Sequence, residues 1–364
     1  MIAIVILIFA AFILAGISGL VYLYMRIQRF LPEDMPKKKK RLLALIPIAA
    51  LLLYVVCDFI NGVVVVVNVF VIWVLADCVG WLIHKIRKKP MRFYWIGVCA
   101  IVVSVGYLGY GFYTAHRVVA TNYTLSTDKT LPNGKLRIIQ IADAHLGATF
   151  DGEGFAKYVK QMEKEKPNML VITGDFVDDS SNRADLERAC EALGKMKTTY
   201  GVYYAYGNHD KGFYNHRDFK DKDMRAIMAQ NNITILDDKM VTLGGCVDLY
   251  GRKDRASKKR KKMSALIAEG VKEHYQVILD HQPHDYDAQE KAGVDLVLGG
   301  HTHGGQMFPI GITGELSGAN DMTYGMRKRG RTTFIVTSGI SDWAIDYKTG
   351  GALSEYVVID ITQK

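Results

Sequence analysis

From Leu42 to Ile83 the chain runs for 42 residues that are apolar apart, mainly, from Asp58, Asn61-Gly62, Asn68 and Asp77. A helix rises about 1.5 Å per residue, so a single helix of that length would cross a hydrocarbon core of about 30 Å twice. The expectation is two membrane spans joined by a turn near Asp58 to Gly62. Ile2 to Met25 is long enough for a further span, and Phe93 to Phe112 supplies another. A cleavable signal peptide is the rival reading of Ile2 to Met25. Its length, the lack of a basic start and the basic cluster after it favour a retained span.

Charge tests the number of spans. Arg26, Arg29, Lys37, Lys38, Lys39, Lys40 and Arg41 fill the first loop, and Lys85, Arg87, Lys88, Lys89 and Arg92 fill the third. Cytoplasmic loops carry the excess of Lys and Arg, so both loops belong on one side and an even number of crossings must separate them. Four spans satisfy this and three do not. The expected organisation is a four-helix transmembrane region over residues 1–113 and a domain over 114–364. That domain would face the extracytoplasmic side of the cytoplasmic membrane.

The net charge of +9 does not point to nucleic acid. Residues 1–113 hold 12 Lys/Arg against 4 Asp/Glu, and the remainder holds 34 against 33. The basicity belongs to the membrane region. One local exception is Arg252 to Lys262, with eight basic residues in eleven. It reads as a solvated loop and helix start, or as a patch for anionic headgroups or an acidic substrate. Cys57, Cys78 and Cys99 lie in apolar spans as packing residues, while Cys190 and Cys246 are available to pair on an oxidising side.

Beyond Lys135 short apolar strands alternate with loops and amphipathic helices. Strands are expected at Leu136 to Ile141, Met169 to Ile172, Val202 to Tyr206, Ile233 to Leu236, Val247 to Tyr250, Val277 to Leu279, Val294 to Leu298, Thr333 to Thr337 and Tyr356 to Ile361. Helices are expected at Glu153 to Lys166, at Ala184 to Met196 and, ending, over Arg225 to Gln230. Five of the strands end directly in metal-ligand residue types: Asp143-Ala144-His145, Gly174-Asp175, Gly207-Asn208-His209-Asp210, Asp280-His281, and Gly300-His301-Thr302-His303. Ligands in open α/β sheets gather at the carboxyl ends of strands. Any one of these residues has an ordinary explanation as a turn or helix cap; five in one register do not. Seven carboxylate, amide and imidazole donors without a thiolate suit a pair of divalent ions such as Mn, Zn or Fe, with Mg less suited. Such a pair clamps a phosphoryl group during in-line displacement, which points to phosphate-ester hydrolysis.

The ordered set Asp143-x-His145, Gly174-Asp175-x-x-Asp178, Gly207-Asn208-His209-Asp210, His281 and Gly300-His301-x-His303 resembles the calcineurin-like metallophosphoesterase family, and its membrane-anchored bacterial branch in particular. The resemblance covers about Leu136 to the C-terminus. It implies an α/β (α+β) fold, a four-layer αββα sandwich. It also implies roles: Asp143, His145 and His303 on a first metal, Asp175 bridging, and Asn208, His281 and His301 on a second. His209 would face the scissile phosphate as a catalytic residue, with Asp178 or Asp210 orienting it. Ala144 departs from the bulkier residue common at that place, and His284 is an extra imidazole near His281. The expected partners are a phosphate-ester substrate, envelope-borne or lipid-linked, and the lipid bilayer. Two alternatives stay open: a non-catalytic metal-binding sensor or scaffold, and a nuclease of the same family. Retention of every ligand and of His209 speaks against the first, and the near-neutral domain against the second.

Overall fold

The computed structural model describes residues 16–88, 93–212 and 216–364. Residues 1–15 of the expected first span lie outside the described residues, and 16–27 are helical. Among the described residues, three helices are long and apolar enough to cross a membrane: α1 (Lys37–Cys57), α2 (Phe59–Arg87) and α3 (Trp95–His116). The long apolar run breaks at Asp58, whose backbone turns extended while its carboxylate accepts the Asn61 N–H at 3.1 Å and caps α2. Gly62 lets the hairpin close, because a Cβ there would stand 2.7 Å from the Val55 backbone nitrogen.

The chain divides into two compact units, Met1–Gly111 and Phe112–Lys364. The second contains two six-stranded sheets. One has the order β1 (Val118–Thr127), β12 (Ser354–Gln363), β2 (Lys135–Ile141), β3 (Met169–Thr173), β4 (Gly201–Ala205), β5 (Ile233–Ile235). The other has the order β10 (Gly325–Arg329), β11 (Thr332–Val336), β9 (Leu296–Gly299), β8 (Tyr275–Leu279), β7 (Val247–Gly251), β6 (Lys239–Leu243). Strands β2 to β5 run parallel, as do β7, β8, β9 and β11.

Alternation along the strands sorts residues between layers. In β3, Met169 and Val171 face the other sheet, where they join Leu249, Val277, Leu279, Leu296 and Leu298 in one core. Leu170 and Ile172 face outward, against α4 (Gly152–Lys164), α5 (Arg183–Lys195) and α6 (Asp221–Gln230), through Phe155, Val159, Leu186, Leu193, Met224 and Ile227. The outer face of the second sheet is covered by α7 (Met263–Ile267) and α8 (Tyr286–Ala292), with Met263, Leu266 and Tyr286 against Ile278, Val297 and Phe334. The result is the four-layer αββα sandwich, an α/β fold whose central strands are buried on both faces.

Some expectations change. Three strands have no counterpart among the expected ones: β1, which pairs in parallel with β12 at the far end of the chain, and the outer strands β6 and β10 of the second sheet. Cys190 and Cys246 are free thiols: Cys190 is buried under the helices, whereas Cys246 sits at the β6–β7 turn beside the inter-sheet core.

Candidate metal centre

The five ligand-bearing loops follow β2, β3, β4, β8 and β9, so both sheets deliver side chains to one cleft. Gln140 fastens the sheets there: its Nε2 donates to the Gly299 carbonyl at 2.8 Å and to Thr173 Oγ1 at 3.1 Å. The loops turn sharply. Asp143, His145, Asp175, His301 and His303 all have positive φ, between 37° and 74°. Left-handed backbone at non-glycine residues is uncommon and strained, and it concentrates at functional sites.

The donors fall into two groups. Asp143, His145 and His303 form one, and Asp175, His281 and His301 the other, with the donor atoms of each group within 4.8 Å of one another. Asp175 links them: its Oδ2 lies 4.0 Å from His145 Nε2 and 3.0 Å from His281 Nε2. Asn208 follows the end of β4, and its Oδ1 is buried with no hydrogen-bond partner.

The protonation of His281 follows from its partners. Its Nδ1 lies 2.8 Å from the Thr173 carbonyl, which only accepts, so Nδ1 carries the hydrogen and the Nε2 lone pair is turned toward Asp175. Two lone pairs 3.0 Å apart need a proton or a cation between them. His145 is set the same way, with Nδ1 against Asp178 Oδ2 at 3.1 Å and Nε2 buried without a hydrogen bond. Holding a ligand histidine by its other nitrogen fixes both tautomer and ring orientation.

Electrostatics point the same way. Burial pushes the Asp143 carboxyl up to about 6, against the pull of His281 and His145. Burial would raise Asp175 as well, but His281 and His145 outweigh it and hold the carboxylate ionised. Burial lowers His301 to about 4 and keeps His303 neutral. The neutral His301 and His303 imidazoles beside ionisable carboxylates, with the buried His145 Nε2 and Asn208 Oδ1 lacking hydrogen bonds, fit divalent cations.

The three residues expected to act on substrate are placed differently from one another. His209 is half-buried, with its ring 5.1 Å from that of His145 and 5.6 Å from that of Trp343. Its backbone N–H donates to Asp175 Oδ1 at 2.8 Å. Asp178 lies beneath His145. Asp210 is fully buried, and its two oxygens accept the N–H groups of Asp175, Phe176, Val177 and Gly207 at 2.6–3.2 Å. It is a positioning residue for the loop that carries Asp175.

Sequence reasoning missed a second tier. Asp280, next to His281, is buried and accepts from Arg252 at 3.1 Å, from Gln289 at 2.8 Å and from Arg260. Two cations of the basic segment are therefore structural rather than solvated. Lys348 is completely buried and donates to the Ser338 carbonyl and Ser354 Oγ. Only the run of basic residues after β7 hinted at the first of these.

Residues 136–305 match the sequence model described as calcineurin-like phosphoesterase. Over 270 residues the chain is 30% identical to an uncharacterised metallophosphoesterase of Helicobacter pylori, covering 72% of this chain and 69% of that protein. The chain belongs to the calcineurin-like metallophosphoesterase family. A metallophosphoesterase of Campylobacter jejuni is likewise 30% identical over 271 residues, covering 72% of this chain and 69% of its own. A zebrafish "transmembrane protein with metallophosphoesterase domain" is 29% identical over 232 residues, covering 59% of this chain and 51% of its own. The family match ends at Gly305, so it includes every candidate ligand of this metallophosphoesterase.

Proposed function

We propose that this chain is a membrane-anchored, di-metal-dependent phosphoesterase that hydrolyses phosphodiester, phosphomonoester or pyrophosphate bonds of an envelope or lipid-linked substrate. The observation that carries the reading is the pair of donor groups, with Asp175 of one lying 4.0 Å from His145 of the other. Asp143, His145 and His303 would hold one ion, Asn208, His281 and His301 the other, and Asp175 would belong to both. The imidazole-rich donor set favours Mn, Zn or Fe over Mg. Bound, the ions supply Lewis-acid activation of water and neutralise charge on the phosphoryl group.

The chain's own residues do the rest. Asp178 and the Thr173 carbonyl hold His145 and His281 with Nε2 turned inward. Asp210 holds the Asp175 loop in register. His209, beside Asn208 and half open to solvent, hydrogen-bonds the phosphate and gives a proton to the leaving oxygen. Residues 1–113 would form the four-span anchor, with both basic loops in the cytoplasm and residues 114–364 outside it.

Two experiments test this. The full chain in detergent should hydrolyse bis-p-nitrophenyl phosphate or p-nitrophenyl phosphate with Mn or Zn and lose that activity to a chelator. Hydrolysis that survives complete metal removal would sink the reading. A reporter fused after Lys364 should be active only if it works outside the cytoplasm; activity of a cytoplasm-only reporter would overturn the topology.

A further inference from the structure

Directly after the candidate ligand His303 the chain runs from Gly304 to Gly314 without a charged residue, entering the short helix α9 (Ile310–Leu316) on the way. None of the residues of α9 is buried. Phe308 is 64% exposed, Ile310 55%, Ile312 56% and Leu316 82%. Helices normally dock by burying such side chains; α9 is held by polar ties instead. Thr323 Oγ1 donates to the Gly311 carbonyl at 2.9 Å, the Thr323 N–H donates to Glu315 Oε1 at 2.7 Å, and Gly311 lies against Gly305. Ile312 and Leu316, four residues apart, share a face turned to solvent.

Within the same unit, the loop over residues 343–349 ties the segment before α9 to residues 112–114 in the last turns of α3. Thr114, in the last turn of α3, donates to the Lys348 carbonyl, and the Phe112 ring lies 6.4 Å from that of Tyr347. The loop bearing Tyr347 and Lys348 is bonded to the α9 segment. Gln306 Nε2 donates to the carbonyls of Ile345 and Tyr347 at 2.8 and 3.0 Å, and the Thr349 N–H donates to the Gln306 carbonyl at 2.7 Å. Trp343, 46% exposed beside His209, belongs to that loop too. A large exposed apolar segment marks an interaction surface, and Phe, Ile, Leu and Trp are the side chains that enter the headgroup–acyl boundary.

We propose that residues 308–316 are a bilayer-contacting surface: Phe308, Ile310, Ile312 and Leu316 insert into the leaflet from which α3 emerges. The candidate metal centre, one turn away at His303, then opens at the level of lipid headgroups.

The test places a bimane label at Ile312→Cys or Leu316→Cys in the full chain, with Cys57, Cys78, Cys99 and Cys246 replaced by serine; Cys190 is buried. The chain is reconstituted in nanodiscs of phosphatidylethanolamine and phosphatidylglycerol containing a lipid with a nitroxide near its headgroup. A third label, at Val271→Cys, is the control: it is exposed just before the start of β8, away from His281 at the other end of the strand. The proposal predicts loss of emission at 312 and 316 and none at 271. Emission at 312 and 316 as unquenched as at 271 overturns it, and the surface then belongs to another protein. Hydrolysis of bis-p-nitrophenyl phosphate in the same nanodiscs reports separately on the phosphoesterase reading, which survives or fails whatever the labels show.

Discussion

Replacing Gly207 by alanine tests the geometry of the centre through a single methyl group. Gly207 closes the end of β4, directly against the Asp175 loop. Its Cβ would stand 2.5 Å from the Asp175 backbone nitrogen, and nearer still to Asp175 Oδ1, where ordinary contact begins at 3.4 Å. The backbone must therefore move by about 0.9 Å and the carboxylate oxygen by more. The carboxylate has no slack, because Oδ1 holds the His209 N–H at 2.8 Å. The backbone has none either, because the Asp175 and Gly207 N–H groups share Asp210 Oδ2 at 2.8 and 2.6 Å. Misplacing a reacting or ligating group by about 1 Å costs on the order of 10²-fold in rate, or about 2.7 kcal/mol at 1.36 kcal/mol per tenfold. Overpacking adds a stability cost of about 1–3 kcal/mol. The assay is turnover of bis-p-nitrophenyl phosphate by the full chain, with metal content and Tm measured on the same sample. A Gly207→Ala variant within about threefold of the parent's turnover, set against the expected 10²-fold loss, and with its metals intact, would refute the assigned contact.

Other residues give independent outcomes. Asp210→Asn turns one accepting oxygen into an amide and strands two of four buried N–H groups, which at roughly 1–3 kcal/mol each should lower Tm markedly; an unchanged melt contradicts the positioning role. His209→Ala should reduce kcat by about 10²- to 10⁴-fold while metal content stays at the parent level, and loss of metal instead would make His209 a ligand. Burial works to raise Asp248, but hydrogen bonds from His274, the Val271 N–H and Thr242 outweigh it and hold its carboxyl below the usual range. A depressed carboxylate stabilises the fold above its unfolded pKa of about 4 and loses that contribution as pH falls through the folded value. Thermal melts from about pH 6 down to 3 should therefore show a shallower acid loss for Asp248→Asn than for the parent; equal slopes would contradict this.

The cluster of candidate donors was legible because each of its members announces itself locally: an apolar strand ends, and Asp, Asn or His follows. The turn at Asp58 was legible for a similar reason, since a polar cap and a glycine interrupt a run too long for one span. What supports the centre was not. Asp280 takes its cations from Arg252 and Arg260, twenty or more residues away, and Gln140 reaches across to the other sheet. Asp210 looks like part of an Asn-His-Asp motif, and only its backbone partners reveal that it serves the neighbouring loop. Strand β1 escaped because it is an edge strand of half-exposed residues, and its partner β12 lies more than 200 residues along the chain. The left-handed backbone of Asp143 and His301 has no sequence signature when the residue is not glycine.

The central claim is that Asp175 joins two metal sites. Counting metals by plasma mass spectrometry on the full chain, beside Asp175→Asn, tests it most directly. The account predicts two divalent ions per parent chain and a clear loss in the variant, along with its hydrolytic activity. A parent chain that binds no divalent ion, or a variant that keeps both ions and full turnover, would contradict it.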